Sequence, residues 1–301
     1  MARDNFLMKI FDCTTYYSED LMLDVRFNIL NEYVHKFVVV ESKYSHSGER
    51  KELNFDINKF KKFQDKIIYL VIENEPKNIE KISDLSNSSA IKRMNSLKRI
   101  EQSYDYMIKG INTANDDDLI ILSDNDEIPN LNSEQFKRSK KNIIIFKQLF
   151  CHYKFNLLHD LLPWHGSRAC KKKYLKSFSW LKNLKNKKYP FWRFDTIFSN
   201  NKLRNLEIIL DGGWHFTNIK KPKDLLIKLN NFGHHNEFEV SGITIEKLKE
   251  QIDNKIVNYN HFADKTEINK YKFEYKLKNI NLNLLPQYLR ENKYKYEEWF
   301  D

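Results

Sequence analysis

Three carboxylates crowd into four positions, Asp124, Asp126 and Glu127, directly after the apolar run 119–122 and just before Ile128-Pro129. A short run of Leu and Ile bounded by polar residues predicts a buried strand. Pro129 cannot donate to a sheet ladder, so the strand is expected to stop there. In an open α/β sheet, ligands sit at the carboxyl ends of strands, which would deliver these acids to a binding edge. Aspartates at i and i+2 of an extended chain share a face and repel each other unless a cation sits between them. Mg²⁺ and Mn²⁺ take hard oxygen ligands and leave positions open for phosphate oxygens. The pattern therefore predicts an Asp-x-Asp site, Asp124 and Asp126, holding a nucleotide diphosphate through a divalent ion. A solvated acidic turn is the plainer alternative. A calcium loop of the EF-hand kind is excluded, because no glycine lies near the acids.

A second candidate is Gly212-Gly213-Trp214-His215, after the apolar stretch 206–210. The glycines let the backbone turn sharply or approach a ligand. Trp214 offers a face to a sugar or base, and His215 can ligate a metal or bond a phosphate. Glu41 ends the β-branched run 37–40 and could hold a base or a ribose hydroxyl. Arg168, in WHGSRACKKKYL, suits a diphosphate. Candidates for a general base are, in order, Asp195 in PFWRFDTIF, Asp211, and Glu237 in NFGHHNEFE. His234 and His235 are adjacent, whereas a helical metal pair needs a spacing of four. Each of these residues also has a structural reading, as a cap, a surface charge or a core group. No GxSxG, GxxxxGK[ST] or GxGxxG occurs, which leaves serine hydrolases, P-loop enzymes and Rossmann dehydrogenases without a motif.

These residues need a scaffold. A first strand is expected at 8–11, then a helix capped by Ser18, with Leu21, Val25 and Ile29 at spacing four and Glu19 and Asp20 in its first turn. Further strands are expected at 37–40, 66–72, 118–123, 142–149 and 206–210, with a long helix over 91–111. Alternation of strands and helices predicts an α/β fold, a single mixed, mostly parallel sheet flanked by helices. After Lys220 the strand signals fade. The expected division is a catalytic domain, 1–220, and a helical C-terminal extension, 221–301, packed on it. The extension is the natural place for acceptor contacts, although Phe232, Phe238, Tyr288, Tyr296 and Trp299 are expected mostly to pack on the core.

A chain of 301 residues with 41% hydrophobic content can build a sizeable core. Its net charge of +10 favours anionic partners: nucleic acid, a membrane surface or a phosphorylated small molecule. Three cysteines, Cys13, Cys151 and Cys170, without a CxxC pair, point to a reducing compartment and away from disulfides or thiolate zinc. The N-terminus is too short and polar for a signal peptide, and no apolar run approaches the roughly 18 residues of a membrane span. The expectation is a cytoplasmic protein, with peripheral membrane contact left open.

Four stretches in order resemble glycosyltransferase family 17, the family of the β-1,4-mannosyl-glycoprotein β-1,4-N-acetylglucosaminyltransferase. They are IFDCTTYYSEDLMLDVRFNIL with KFVVVESKYSHSG, LIILSDNDEIP, DGGWHFT, and LLPQYLRENKYKYEEW. The resemblance implies a GT-A-like fold, a UDP-sugar donor (UDP-GlcNAc foremost), inversion at the anomeric carbon and a Mn²⁺ or Mg²⁺ cofactor. It implies that Asp124 and Asp126 form the Asp-x-Asp, with Asp126 the direct metal ligand. It further implies a metal or diphosphate contact for His215 and a place near the nucleoside for Glu41. Two departures stand out. Asn125 occupies a position where a small or aliphatic residue is expected. The helix before the motif does not bring Arg93 or Arg99 into clear alignment with the family's arginine. The animal enzymes' membrane anchor has no counterpart here, which favours a glycan or lipid-linked glycan acceptor in the cytoplasm over a Golgi glycoprotein.

Two other classes compete. A metal-dependent phosphoryl-transfer or nucleic-acid enzyme also uses paired carboxylates, but the basic residues are scattered and no nucleic-acid motif is present, so nucleic acid is disfavoured. A non-catalytic nucleotide-sugar-binding module would bind UDP without turnover.

Overall fold

The structure, a computed structural model, describes residues 8–81, 88–190, 192–196, 198–231, 242–260 and 273–301. Glu237, His234, His235, Phe232 and Phe238 lie outside the described residues.

The first half is a run of strand–helix units. They are β1 (Ile10–Tyr16), α1 (Asp20–Leu30), β2 (Lys36–Ser42), a 3-10 segment (Ile57–Lys66) and β3 (Ile67–Ile72). Next come α2 (Ser88–Asp105), which tightens into a 3-10 turn (Tyr106–Ile111), then β4 (Leu119–Ser123) and β5 (Glu127–Pro129). The middle adds α3 (Glu134–Arg138), β6 (Ile143–His152), β7 (Leu157–Leu158), β8 (Trp164–Lys171) and α4 (Phe178–Lys182). After these come β9 (Glu207–Ile209), β10 (Gly213–Thr217), α5 (Pro222–Asn231), α6 (Ile245–Asp253) and α7 (Gln287–Glu291).

β3, β2, β1 and β4 lie side by side and parallel. β8 then inserts antiparallel between β4 and β6, and β9 and β10 run parallel to β6. The sheet is therefore mixed and mostly parallel, flanked by helices, an α/β architecture of the GT-A-like kind.

Burial on both faces explains the near-continuous apolar strands. Successive residues of a strand point to opposite faces. In β2, Phe37 and Val39 face one core while Val38 and Val40 face another; in β4, Leu119 and Ile121 divide from Ile120 and Leu122 in the same way. The first core is covered by α1 and by the C-terminal residues Leu285, Leu289, Tyr296 and Phe300. The second is covered by Met107 and Ile111 of the 3-10 turn and by Phe178 and Leu181 of α4.

The chain leaves strand conformation after Ser123, earlier than expected, and again at Pro129, where β5 ends. It turns at Asp124–Asp126 and resumes as β5, antiparallel to β10, with Pro129 opposite Gly213. The missing N–H is tolerated because β5 is a three-residue strand laddered to β10. Gly213 adopts φ +110, and a Cβ there would lie 2.2 Å from Ile128 O, so only glycine lets β10 close on β5. β8 and β10 are strands that sequence patterning did not mark. WHGSRACK mixes polar and small residues, yet five of its eight positions are buried. Among the described residues, no helix is long and apolar enough to cross a membrane.

Candidate active site

A cavity of about 570 Å³ opens where β1, β2, β4, β6 and β10 end. Its walls include Thr15 and Tyr16 at the end of β1 and Tyr17 after it, Ser42 at the end of β2 and Tyr44 after it, and Asp124, Asn125 and Asp126 after β4. His215 and Thr217 of β10, Phe150 and His152 of β6, and Arg93 and Tyr104 of α2 complete one side. Lys228 and Leu225 of α5 face them. This is the edge at which α/β sheets bind ligands.

The turn bearing the acids is clamped from four directions. Arg26 of α1 is fully buried and donates through Nη1 to the carbonyls of Asp124 and Glu127, the two ends of the turn. Its other face forks onto Asp12 of β1, with Nε 2.6 Å from Oδ2. Phe216 N donates to Asp126 O at 2.8 Å, tying the turn to β10. Glu127 reaches back to accept from Asp124 N at 3.1 Å and takes Trp164 Nε1 at 3.0 Å on its other oxygen. Gly166 makes room for this: a Cβ there would lie 1.9 Å from Gln148 Oε1 and 2.8 Å from the Glu127 carboxyl carbon.

Asp124 and Asp126 then diverge, correcting the expectation of two aspartates on one extended face. The backbone between them is a turn, so the period of two does not apply. Asp124 accepts from Tyr104 OH at 2.7 Å and pairs with Lys182 Nζ at 2.8 Å. Burial pushes its carboxyl up, Lys182 pulls it down and Asp126 pushes it up; the bonds from Lys182 and Tyr104 leave it below the usual carboxylate range. Burial and Asp124 together raise the Tyr104 phenol well above its ordinary value. Asp126 faces His215, with Nε2 3.3 Å from Oδ1, and Lys228, with Nζ 3.4 Å from Oδ2. Burial works against its charge, but His215 and Lys228 outweigh it and hold the carboxyl far below the usual range. His215 stacks on Phe150 and Trp164 at centroid distances of 4.8 and 4.2 Å, and its buried Nδ1 has no hydrogen-bond partner among the described residues.

One carboxylate oxygen and one imidazole nitrogen therefore meet on the cavity wall. Among the described residues, no group of three or more His, Cys, Asp or Glu is arranged to hold a metal. A divalent ion at Asp126 and His215 would draw its remaining ligands from a diphosphate and water, as Mg²⁺ usually does. The donor set fits that kind of open site.

The other sequence candidates lie elsewhere. Glu41 is fully buried, and its oxygens accept from Asn54 N at 2.8 Å, Phe55 N at 3.1 Å, Tyr69 OH at 2.8 Å and Lys51. It fastens the loop that brings Lys51 to the cavity, and does not line the cavity itself. Arg168 is buried beside Asp124 and Glu127, behind the wall, where burial lowers its pKa against the pull of both acids. Trp214 points to the first core, its Nε1 donating to Leu284 O at 2.7 Å. Asp195 is exposed and paired with Arg193 and Lys202. Asp211 is exposed and accepts from Asn130 Nδ2 at 3.0 Å. Neither carboxylate is among the cavity-lining residues. Arg93 lines the cavity, whereas Arg99 pairs with Glu75 and His46 O.

Sequence reasoning missed Arg26, Tyr104, Lys182 and Lys228. Two signals were present. Arg26 is a lone charge on the apolar face of α1, among Leu23, Phe27 and Leu30, and Asp12 is a lone acid in an apolar strand. Charges in such places survive burial by pairing. Lys182 and Lys228 lie among many lysines and carried no such mark.

The sequence model of glycosyltransferase family 17 matches residues 2–299. Comparison with curated proteins finds no match. Among solved structures the chain is similar to HddC from Yersinia pseudotuberculosis, at 10% identity over 68% of this chain and 90% of that one, with a TM-score of 0.32. It is similar to the inositol-1-phosphate CTP transferase from T. maritima at 12% identity over 81% and 97%, with a TM-score of 0.32. Scores this low carry no inference about chemistry.

Proposed function

Because the chain belongs to glycosyltransferase family 17, and so is a glycosyltransferase with a nucleotide-sugar donor and a glycan acceptor, we propose that it is an inverting UDP-sugar enzyme dependent on Mn²⁺ or Mg²⁺. GlcNAc is the favoured sugar, on the family resemblance. The observation that carries the reading is the meeting of Asp126 and His215 at 3.3 Å in the cavity beyond β4 and β10.

In this reading Asp126 and His215 hold the ion. When bound, it neutralises the diphosphate and eases its departure. Lys228 sits on Asp126 at 3.4 Å in the present arrangement and would turn to the diphosphate as the ion takes its place. Asp124, fixed by Lys182 and Tyr104, faces the donor next to Asp126. Tyr17, Tyr44 and Arg93 on the first-half wall suit a nucleoside, through stacking and hydrogen bonding. The acceptor enters from the side of α5 and α6, where Leu225 and Leu248 line the cavity. The base that takes the acceptor proton must reach the cavity. Asp195 and Asp211 do not line it, which leaves them without support for that role.

The test is transfer or donor hydrolysis, read as UDP release from a panel of UDP-sugars with Mn²⁺. Asp126→Asn removes a charge from the proposed ion and is expected to lower the rate by about a hundredfold or more. A variant within a few-fold of wild type would remove Asp126 from the metal site.

A further inference from the structure

The described residues between Lys185 and Arg204 take no part in the cavity wall, yet they form a built loop. Its base is closed by Lys185 N donating to Asn201 O and by Trp180 Nε1 donating to Asn200 O, both at 2.8 Å. Inside it, Asp195 accepts from Arg193 Nε and Nη2 at 2.7 and 2.9 Å and from Lys202 Nζ at 2.9 Å. Arg204 donates to Thr196 Oγ1 and to Arg193 O, each at 2.6 Å. Thr196 is buried at the centre of this frame. Asp195, first choice as a base on sequence grounds, is thus the internal tie of a surface loop.

A frame that turns its polar groups inward leaves its aromatics outside. Trp192 is 61% exposed, Phe194 70% and Phe198 90%. Three large rings this exposed within seven residues of the chain mark an interaction surface. Their surroundings give its charge. The segment carries six basic residues, Lys185, Lys187, Lys188, Arg193, Lys202 and Arg204, and one acid, Asp195, which two of those cations already hold. Lys185, Lys187 and Lys188 are exposed.

We propose that the loop 185–204 docks the protein on an anionic lipid surface, with Trp192, Phe194 and Phe198 seated at the headgroup boundary and the flanking lysines on lipid phosphates. Aromatic rings favour that boundary, and basic residues near an anionic membrane add their attraction. Exposed rings in a segment of six basic residues and one acid, with Lys185, Lys187 and Lys188 exposed, fit a fluid anionic plane better than a shaped protein groove. The loop begins three residues after Lys182, whose Nζ is on Asp124. Docking would therefore hold the cavity close to the bilayer. If the transferase reading stands, a lipid-linked glycan becomes the natural acceptor; the docking itself does not depend on that reading.

Vesicle flotation of the full chain tests it. Vesicles of phosphatidylcholine mixed with phosphatidylglycerol are expected to bind the protein, and phosphatidylcholine alone to bind it weakly. Binding is expected to fall as salt rises. The triple variant Trp192→Ser, Phe194→Ser, Phe198→Ser should lose binding by about tenfold or more while keeping the wild-type melting temperature and UDP-sugar hydrolysis. Lys187→Gln with Lys188→Gln should also lose about tenfold on the anionic vesicles. No binding to anionic vesicles, or unchanged binding by the triple variant, overturns the proposal. So does a wild-type dimer that the triple variant converts to a monomer while vesicle binding persists, since the loop would then be a self-association face. Vesicle binding, melting temperature and oligomeric state use neither the metal nor the donor, so a failure here is separate from a failure of the transferase reading.

Discussion

At the scale of single residues, Asp126 is the centre of the site. It is a buried carboxylate with a histidine on one oxygen and a lysine on the other. Those partners lower its proton affinity in the folded chain, while in the unfolded chain it titrates near 3.9. As pH falls, the unfolded state takes up the proton first. The stabilisation is therefore whole at neutral pH and is lost as pH drops below about 4. Asp124 has the same sign through Lys182. In metal-free buffer, urea unfolding is expected to show wild-type stability falling through that window and Asp126→Asn falling less steeply. Equal slopes would mean that the partners do not hold the charge. Asp126 was legible as a candidate from its place after an apolar strand; its partners were not. Lys228 is about a hundred residues away on α5, one of many lysines in the chain, and only the fold selects it.

At the scale of elements, the acid turn depends on helix α1 and strand β1. Arg26 takes two backbone carbonyls of the turn and the Asp12 carboxylate, with the Asp12 and Glu127 contacts buried. Removing one partner of a buried pair leaves the other charge stranded, at a cost of about 3–5 kcal/mol. Arg26→Met should destabilise by about that much in urea unfolding. The double variant with Asp12→Asn should recover part of the loss, because the stranded charge is gone. A double variant no better than the single one would show that the turn carbonyls, not Asp12, dominate. The strands at 37–40, 67–72 and 119–122 were readable because both of their faces are apolar. β8 was not: its buried Ser167 bonds Ser123 at 2.7 Å and Gln148 at 3.1 Å, so polar pairing fills the interior where patterning expects hydrocarbon. β5 was hidden for a similar reason. A proline reads as a stop, and only its position opposite Gly213 makes a strand of it.

At the scale of the whole molecule, the parallel strands end together and the C-terminal segment closes one core, with Tyr296 OH bonded to Asp24 of α1 at 2.5 Å. The excess of positive charge is spent locally in two ways. Lys182 and Lys228 neutralise the cavity acids, and Lys185, Lys187 and Lys188 of the 185–204 loop are exposed to solvent. Motif order made the family legible across nearly the whole chain. The roles of Glu41, Trp214 and Asp195 were less legible, since strand-end polarity alone cannot tell a cavity wall from a loop fastening.

The central claim is that Asp126 and His215 hold a divalent ion that brings a UDP-sugar into the cavity. The most direct measurement is thermal stability with UDP, GDP, CDP and their sugars, each with and without Mn²⁺, for wild type and Asp126→Asn. A ligand at a hundredfold excess over Kd stabilises by about 2.7 kcal/mol. The account predicts a rise in Tm with UDP-sugars that needs Mn²⁺ and disappears in Asp126→Asn. A rise that ignores Mn²⁺, or one that survives in the variant, would contradict it.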